Sequence, residues 1–70
     1  MNIHITVNGK VRTISEGMSI LSLLKLFEVE PSRVAVEHNK NIIDRNQFDS
    51  PILKEGDCLE IITFVGGGHG

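Results

Sequence analysis

The chain closes on Phe64-Val65-Gly66-Gly67-Gly68-His69-Gly70, which puts four of its seven glycines in the last five positions, directly after its most apolar strand-like run. Glycine brings no side chain to do chemistry with, so the group left to react at such an end is the terminal carboxylate itself. Without a Cβ the segment passes through a channel too narrow for any other residue, and its backbone freedom lets it take the channel's shape. Five extended residues reach roughly 17 Å at about 3.5 Å each, enough to carry a carboxylate into another protein's active site. The competing reading is a frayed terminus with no task.

No other part of the sequence competes as a reactive centre. There is no Ser/His/Asp or Cys/His arrangement for nucleophilic catalysis, and 70 residues leave little chain to build a pocket around one. His4, His38 and His69 lie far apart without ligand-like spacing, so no metal site is expected. A phosphate-binding G-x-x-x-x-G-K-[ST] is absent and the glycine run precedes no helix, so the chain has no nucleotide pocket of its own and binds no cofactor. Cys58, the single cysteine, cannot form an internal disulfide; at the start of a strand it reads as a small packing residue rather than a sulfur relay. Seven basic and nine acidic residues are scattered along the chain for a net charge of −2, which argues against nucleic acid as a partner. Met1 to His4 lack the basic start of a signal peptide, and the longest apolar cluster, Ile20 to Phe27, is broken by Ser22 and Lys25; no leader and no membrane span are expected, and the default location is cytoplasmic.

The elements that must position the tail follow from periodicity. Ile3, Ile5 and Val7 alternate with His4 and Thr6 as in a half-buried strand, and Asn8-Gly9 is the hairpin signal that a type I′ turn requires. The second strand runs from Lys10 to about Ile14, in a register left open between a two-residue turn pairing Val7 with Lys10 and a three-residue loop pairing Val7 with Val11. Ser19 is placed as an N-cap, with Met18 and Leu23 as its hydrophobic staple, for a helix whose Ile20, Leu23, Leu24 and Phe27 fall on one face. Pro31 closes this region by biasing Glu30 away from helical angles, and a third strand runs from Val34 to about His38. Asn39-Lys40-Asn41 is a turn and Ile42-Ile43 a brief return strand. Asp44 and Gln47 have the spacing of a capping box for one helical turn ending near Phe48. Lys54-Glu55-Gly56-Asp57 turns the chain into the last strand, Cys58 to Val65.

That strand is apolar on both faces: Leu59, Ile61 and Val65 on one, Ile62 and Phe64 on the other. It should therefore be central in the sheet. One substantial helix covers only one face, so some of Cys58, Ile62, Phe64 and Thr6 are expected to stay exposed as a docking patch beside the tail, unless short loops cover them. The order of elements describes an α+β fold of the β-grasp (ubiquitin-like) type: a mixed four- to five-stranded sheet on one main helix over residues 1–65, followed by a flexible glycine-rich tail, 66–70.

Val7-Asn8-Gly9-Lys10 near the start, Val36-Glu37-His38-Asn39-Lys40-Asn41-Ile42-Ile43 in the middle and Phe64-Val65-Gly66-Gly67-Gly68 at the end, in this order and spacing, resemble the ThiS family, the sulfur carriers of thiamine biosynthesis. The resemblance spans nearly the whole chain. It implies a carrier that is not itself an enzyme. A carboxylate is a poor acyl donor, and the resemblance implies an E1-like (ThiF-like) adenylyltransferase that uses ATP and magnesium to convert the C-terminal glycine to an acyl-adenylate. Sulfur from a cysteine desulfurase or other persulfide donor then displaces the nucleotide to give a thiocarboxylate, and a ThiG-like thiazole synthase takes the sulfur. Gly66 and Gly67 would form the threaded tail, and Ile62, Phe64 and Val65 the partner-binding surface of a carrier that is monomeric when free.

Family members usually finish at a Gly-Gly pair, and this chain continues through His69-Gly70. Either a peptidase removes those two residues and exposes Gly68, which the crowding of an imidazole beside the reacting carbonyl favours, or Gly70 carries the sulfur as encoded. Glu37 and Asn39 read either as turn and surface residues or as partner contacts. Two other functions stay open: a sulfur carrier for molybdopterin, cysteine, homocysteine or tRNA thiolation, and a β-grasp interaction module with an inert tail.

Overall fold

A computed structural model describes residues 1–64. The chain begins with the hairpin of β1 (Asn2–Val7) and β2 (Lys10–Ser15). Asn8 and Gly9 both sit at positive φ, 50° and 83°, so the loop is the two-residue one and the register is Val7 opposite Lys10 and Ile3 opposite Ile14. This choice turns Ile3, Ile5, Val7 and Ile14 to one buried face.

Helix α1 (Ile20–Leu26) starts where the capping residue predicts: Ser22 donates its backbone N–H to the Ser19 hydroxyl at 3.1 Å. Its Ile20, Leu23 and Leu24 are fully buried, and Met18 and Phe27 pack partly against the same core. The helix ends before Pro31 is reached. Glu28 takes a left-handed φ of 61°, its N–H donates to Lys25 O, and Val29 N–H donates to Leu24 O at 2.9 Å, the paired closure of a Schellman motif. Burying part of Val29 favours this closure although Glu28 has a Cβ. Pro31, with Glu30 extended as expected, opens a single 3₁₀ turn, Pro31–Arg33.

Next come β3 (Val34–His38) and β4 (Asn41–Ile43), joined by Asn39 and Lys40 at φ 53° and 74°. Asn41, expected in the turn, is thus the first residue of β4 and pairs with His38. The turn Arg45–Gln47 forms, but Asp44 makes no side-chain cap; its backbone carbonyl accepts from Gln47 N–H at 2.8 Å instead, so the expected capping box is absent. A single 3₁₀ turn has few orphan amides for such a box to satisfy. Phe48 and Leu53 from the following connection close the core over the start of α1, tied down by Leu21 N–H to Phe48 O and Leu53 N–H to Met18 O, each 2.8 Å.

Strand β5 (Cys58–Thr63) lies at the centre of the five-stranded sheet, order β2-β1-β5-β3-β4. It runs parallel to β1, with Thr6 opposite Cys58 and Val7 opposite Leu59, and antiparallel to β3 from Val34–Thr63 to His38–Leu59. The strand ends at Thr63 because β3 begins at Val34; Phe64 N–H still donates to Arg33 O at 2.9 Å, and Val65 lies outside the described residues. One helix against one face of a mixed sheet is the β-grasp arrangement.

Leu59 is fully buried where β1, β5 and β3 meet. Leu59→Ala should cost about 2–5 kcal/mol, much of a small domain's stability, whereas Leu59→Met should cost less than about 1.5 kcal/mol. Urea unfolding monitored by circular dichroism measures both; similar midpoints for the two variants would contradict this account of the core.

Candidate functional site

The tail leaves from β5, so what fixes β5 fixes the tail's point of departure. At its start, the Asp57 carboxylate gathers three elements. His38 Nε2–H donates to Oδ2 at 2.9 Å, Lys54 backbone N–H to the same oxygen at 2.9 Å, and Asn39 Nδ2 to Oδ1 at 3.2 Å. Asn39 also accepts Cys58 N–H on its Oδ1 at 2.8 Å, so its side chain is committed to the strand rather than to a partner. Burial works to raise the Asp57 carboxyl, but the hydrogen bonds from His38, Lys54 and Asn39 and the charge of His38 outweigh it, and the group titrates below the ordinary aspartate value.

Beyond the end of β1 a second side chain takes over. Asn8 accepts Ile61 N–H on Oδ1 at 2.7 Å and donates Nδ2 to Ile61 O at 3.1 Å, continuing the β1–β5 ladder with an amide from the hairpin turn. Sequence reading found Asn8 only as a turn former, because a contact across 53 residues leaves no local signal. The role of Asp57 escaped for the same reason.

The face of β5 away from α1 is open. Ile62 and Phe64 are 52% and 53% exposed, and Cys58 is exposed between Thr6 and Glu60. Cys58 is therefore not the packing residue its position suggested: alternation along β5 sends Leu59 into the core and Cys58 out. Ala35 lies opposite Ile62, and alternation along β5 puts Phe64 on the same face, so this end of the open face is apolar. Glu37 faces Glu60 across the strands. Like charges so placed weaken the pairing, and nothing in the core requires them there. Of the expected site residues, Ile62 and Phe64 share this face; Val65, Gly66, Gly67, Gly68 and Gly70 lie outside the described residues.

The histidines do not converge. His4 lies 3.6 Å from Glu55, His38 is held by Asp57, and His69 is outside the described residues, among which no three metal-binding side chains gather. No helix among the described residues is long and apolar enough to cross a membrane.

The family model described as ThiS family matches residues 5–68. The sulfur carrier protein ThiS of Bacillus subtilis is 38% identical over 63 residues, 89% of this chain and 96% of that protein. A thiazole synthase of Paramagnetospirillum magneticum is 36% identical over 64 residues, 91% of this chain, yet the chain spans only 20% of that protein's length. The crystal structure of the thiamine biosynthesis protein ThiS from Geobacter metallireducens superposes with a TM-score of 0.81 at 36% identity, covering 94% of this chain and 100% of that one.

Asp57→Ala leaves the His38 ring, the Asn39 amide and the Lys54 N–H without their acceptor and should cost about 1–3 kcal/mol. A carboxyl whose folded pKa is depressed contributes stability that is present above its unfolded value, 3.8, and is lost as the pH falls through the folded value. The advantage of the wild type over Asp57→Ala should thus be present at about pH 5 and shrink as the pH falls below about 4. Urea midpoints taken across that range test it; a difference independent of pH would contradict the assignment.

Proposed function

The chain belongs to the ThiS family, and on that footing we propose that it is a sulfur carrier of thiamine biosynthesis whose C-terminal glycine is the chemically active group. The observation that carries this reading is the continuity of the match, which runs from β1 through the central strand and on to Gly68. In this reading the folded domain supplies position and the partners supply chemistry.

An adenylyltransferase binds ATP and magnesium, the carboxylate attacks the α-phosphorus, and pyrophosphate leaves. A persulfide sulfur then attacks the acyl carbon and adenylate departs; reductive cleavage of the resulting S–S bond by a thiol leaves the thiocarboxylate. The carrier holds the acyl end in register by a rigid sheet docked at Ile62, Phe64 and Val65, while Gly66 and Gly67 admit it to a site that excludes water. The thiazole synthase is the acceptor this reading favours, supported by relatives that bear that name and contain a stretch similar to nearly this whole chain. The location that suits it is the ATP-containing cytoplasm.

Gly68 is the favoured acyl residue, because the family match stops there and leaves His69-Gly70 beyond it. A chain ending at Gly68 should support ATP–pyrophosphate exchange with the adenylyltransferase, and the chain ending at Gly70 should do so only after a peptidase has trimmed it. Intact-mass spectrometry after sulfur loading reads the outcome directly. Replacement of one oxygen by sulfur on the full-length chain would transfer the role to Gly70, and no exchange with either chain would refute the carrier reading.

Phe64→Asp places a charge in the open apolar patch without touching the core. It should weaken binding to the adenylyltransferase roughly tenfold or more while leaving the urea midpoint nearly unchanged. Loss of the fold instead would show that this face is core.

A further inference from the structure

On the helix side of the sheet, at the end where β5 outruns β1, the structure opens a groove of about 330 Å³. Ile61 and Thr63 form its floor, Lys10 and Arg12 of β2 one wall, and Phe27 and Val29 the other. It exists because the seven-residue α1, about 10 Å long at 1.5 Å per residue, is too short to cover the inner face this far.

Its lining is specific. The Arg12 guanidinium sits 5.1 Å from the centroid of the Phe27 ring, so an aromatic surface presents the charge at the groove. Neither Lys10 nor Arg12 has a carboxylate within salt-bridge distance among the described residues, although the chain carries nine acidic residues and is net negative. The floor also has an open backbone edge. The β1–β5 ladder stops at Val7 and Leu59, and the Asn8 amide occupies the N–H and C=O of Ile61. By strand alternation Thr63 directs its own N–H and C=O to that same edge, where no strand of the described residues lies.

We propose that this groove is a second docking site for the adenylyltransferase, taken up by an extended segment of that enzyme with carboxylates for Lys10 and Arg12 and an apolar side chain for the wall of Phe27 and Val29. The proposal rests on the carrier reading above. An enzyme that draws in the tail has to surround the chain at Thr63 and Phe64, and it then meets the open face at Ile62 and Phe64 on one side and this groove on the other. The two sides divide the work. Apolar burial on the open face supplies affinity, while the charges of Lys10 and Arg12 favour an acidic surface, speed encounter and fix register. Held on both faces, the end of β5 aims the acyl end at the reacting phosphorus, where an error of an ångström is costly.

The test is the KM for the carrier in ATP–pyrophosphate exchange with the purified adenylyltransferase, measured at low and at physiological salt. Lys10→Glu and the double variant Lys10→Glu/Arg12→Glu should raise KM roughly tenfold or more with kcat little changed, and the rise of wild-type KM with salt should disappear in the double variant. Lys10→Arg/Arg12→Lys should stay near wild type. Lys10 makes no side-chain hydrogen bond or ion pair among the described residues, so the single variant carries the test if loss of the Arg12 stack unfolds the double one. A folded Lys10→Glu carrier with wild-type KM and salt response would overturn the proposal. So would charge-reversed carriers that are adenylated normally but fail to bind thiazole synthase, since that enzyme would then be the occupant. A wild-type chain that supports no exchange refutes the carrier reading itself, a result distinct from either.

Discussion

A five-stranded sheet has two faces, and the described residues hold one α-helix, of seven residues, to cover them. From that shortage the other features follow. Ile3, Ile5, Val7, Ile14, Val34, Val36 and Leu59 line the face that α1 covers and form, with Ile20, Leu23, Leu24, Phe48 and Leu53, the one continuous core among the described residues. The opposite face keeps Ile62 and Phe64 in solvent. Even the covered face is only partly covered, and the groove beside Lys10 and Arg12 lies where the helix runs out. A domain this small has little excess burial to spare, so apolar area left exposed on the central strand points to use in binding rather than to stability.

The central strand carries this asymmetry to the tail. Strand β5 is hydrogen-bonded to both neighbours at its start, and side chains take over where the ladders end: the Asp57 carboxylate and Asn39 amide before Leu59, the Asn8 amide at Ile61. None of these groups does chemistry. They fix β5 to its neighbours up to Phe64, the last described residue before the glycine-rich segment of the sequence.

Much of this was legible in the residues. Period-two alternation located β1, a run apolar on both faces located β5, the Asn8-Gly9 pair located the first hairpin, and Ser19 with Ile20, Leu23 and Leu24 located the helix, because each signal is local and acts within a few residues. The misreadings share a physical origin. Asp44 carried the sequence of a capping box without forming one, because its backbone carbonyl already closed the turn. Cys58 read as a packing residue, and the pairing of β5 between β1 and β3 faced it outward.

The sequence by itself determined the order of the elements, the polarity of each face of each strand, and the placement of a side-chain-free end after the most apolar strand. These are properties of residue type and spacing. Only the tertiary structure decided which apolar face is buried, which cations have no carboxylate beside them among the described residues, and which polar side chains lock β5. Those outcomes depend on how far one short helix reaches across the sheet and on contacts between residues about twenty to fifty positions apart, such as His38 with Asp57 and Asn8 with Ile61. Distance along the chain carries no record of them.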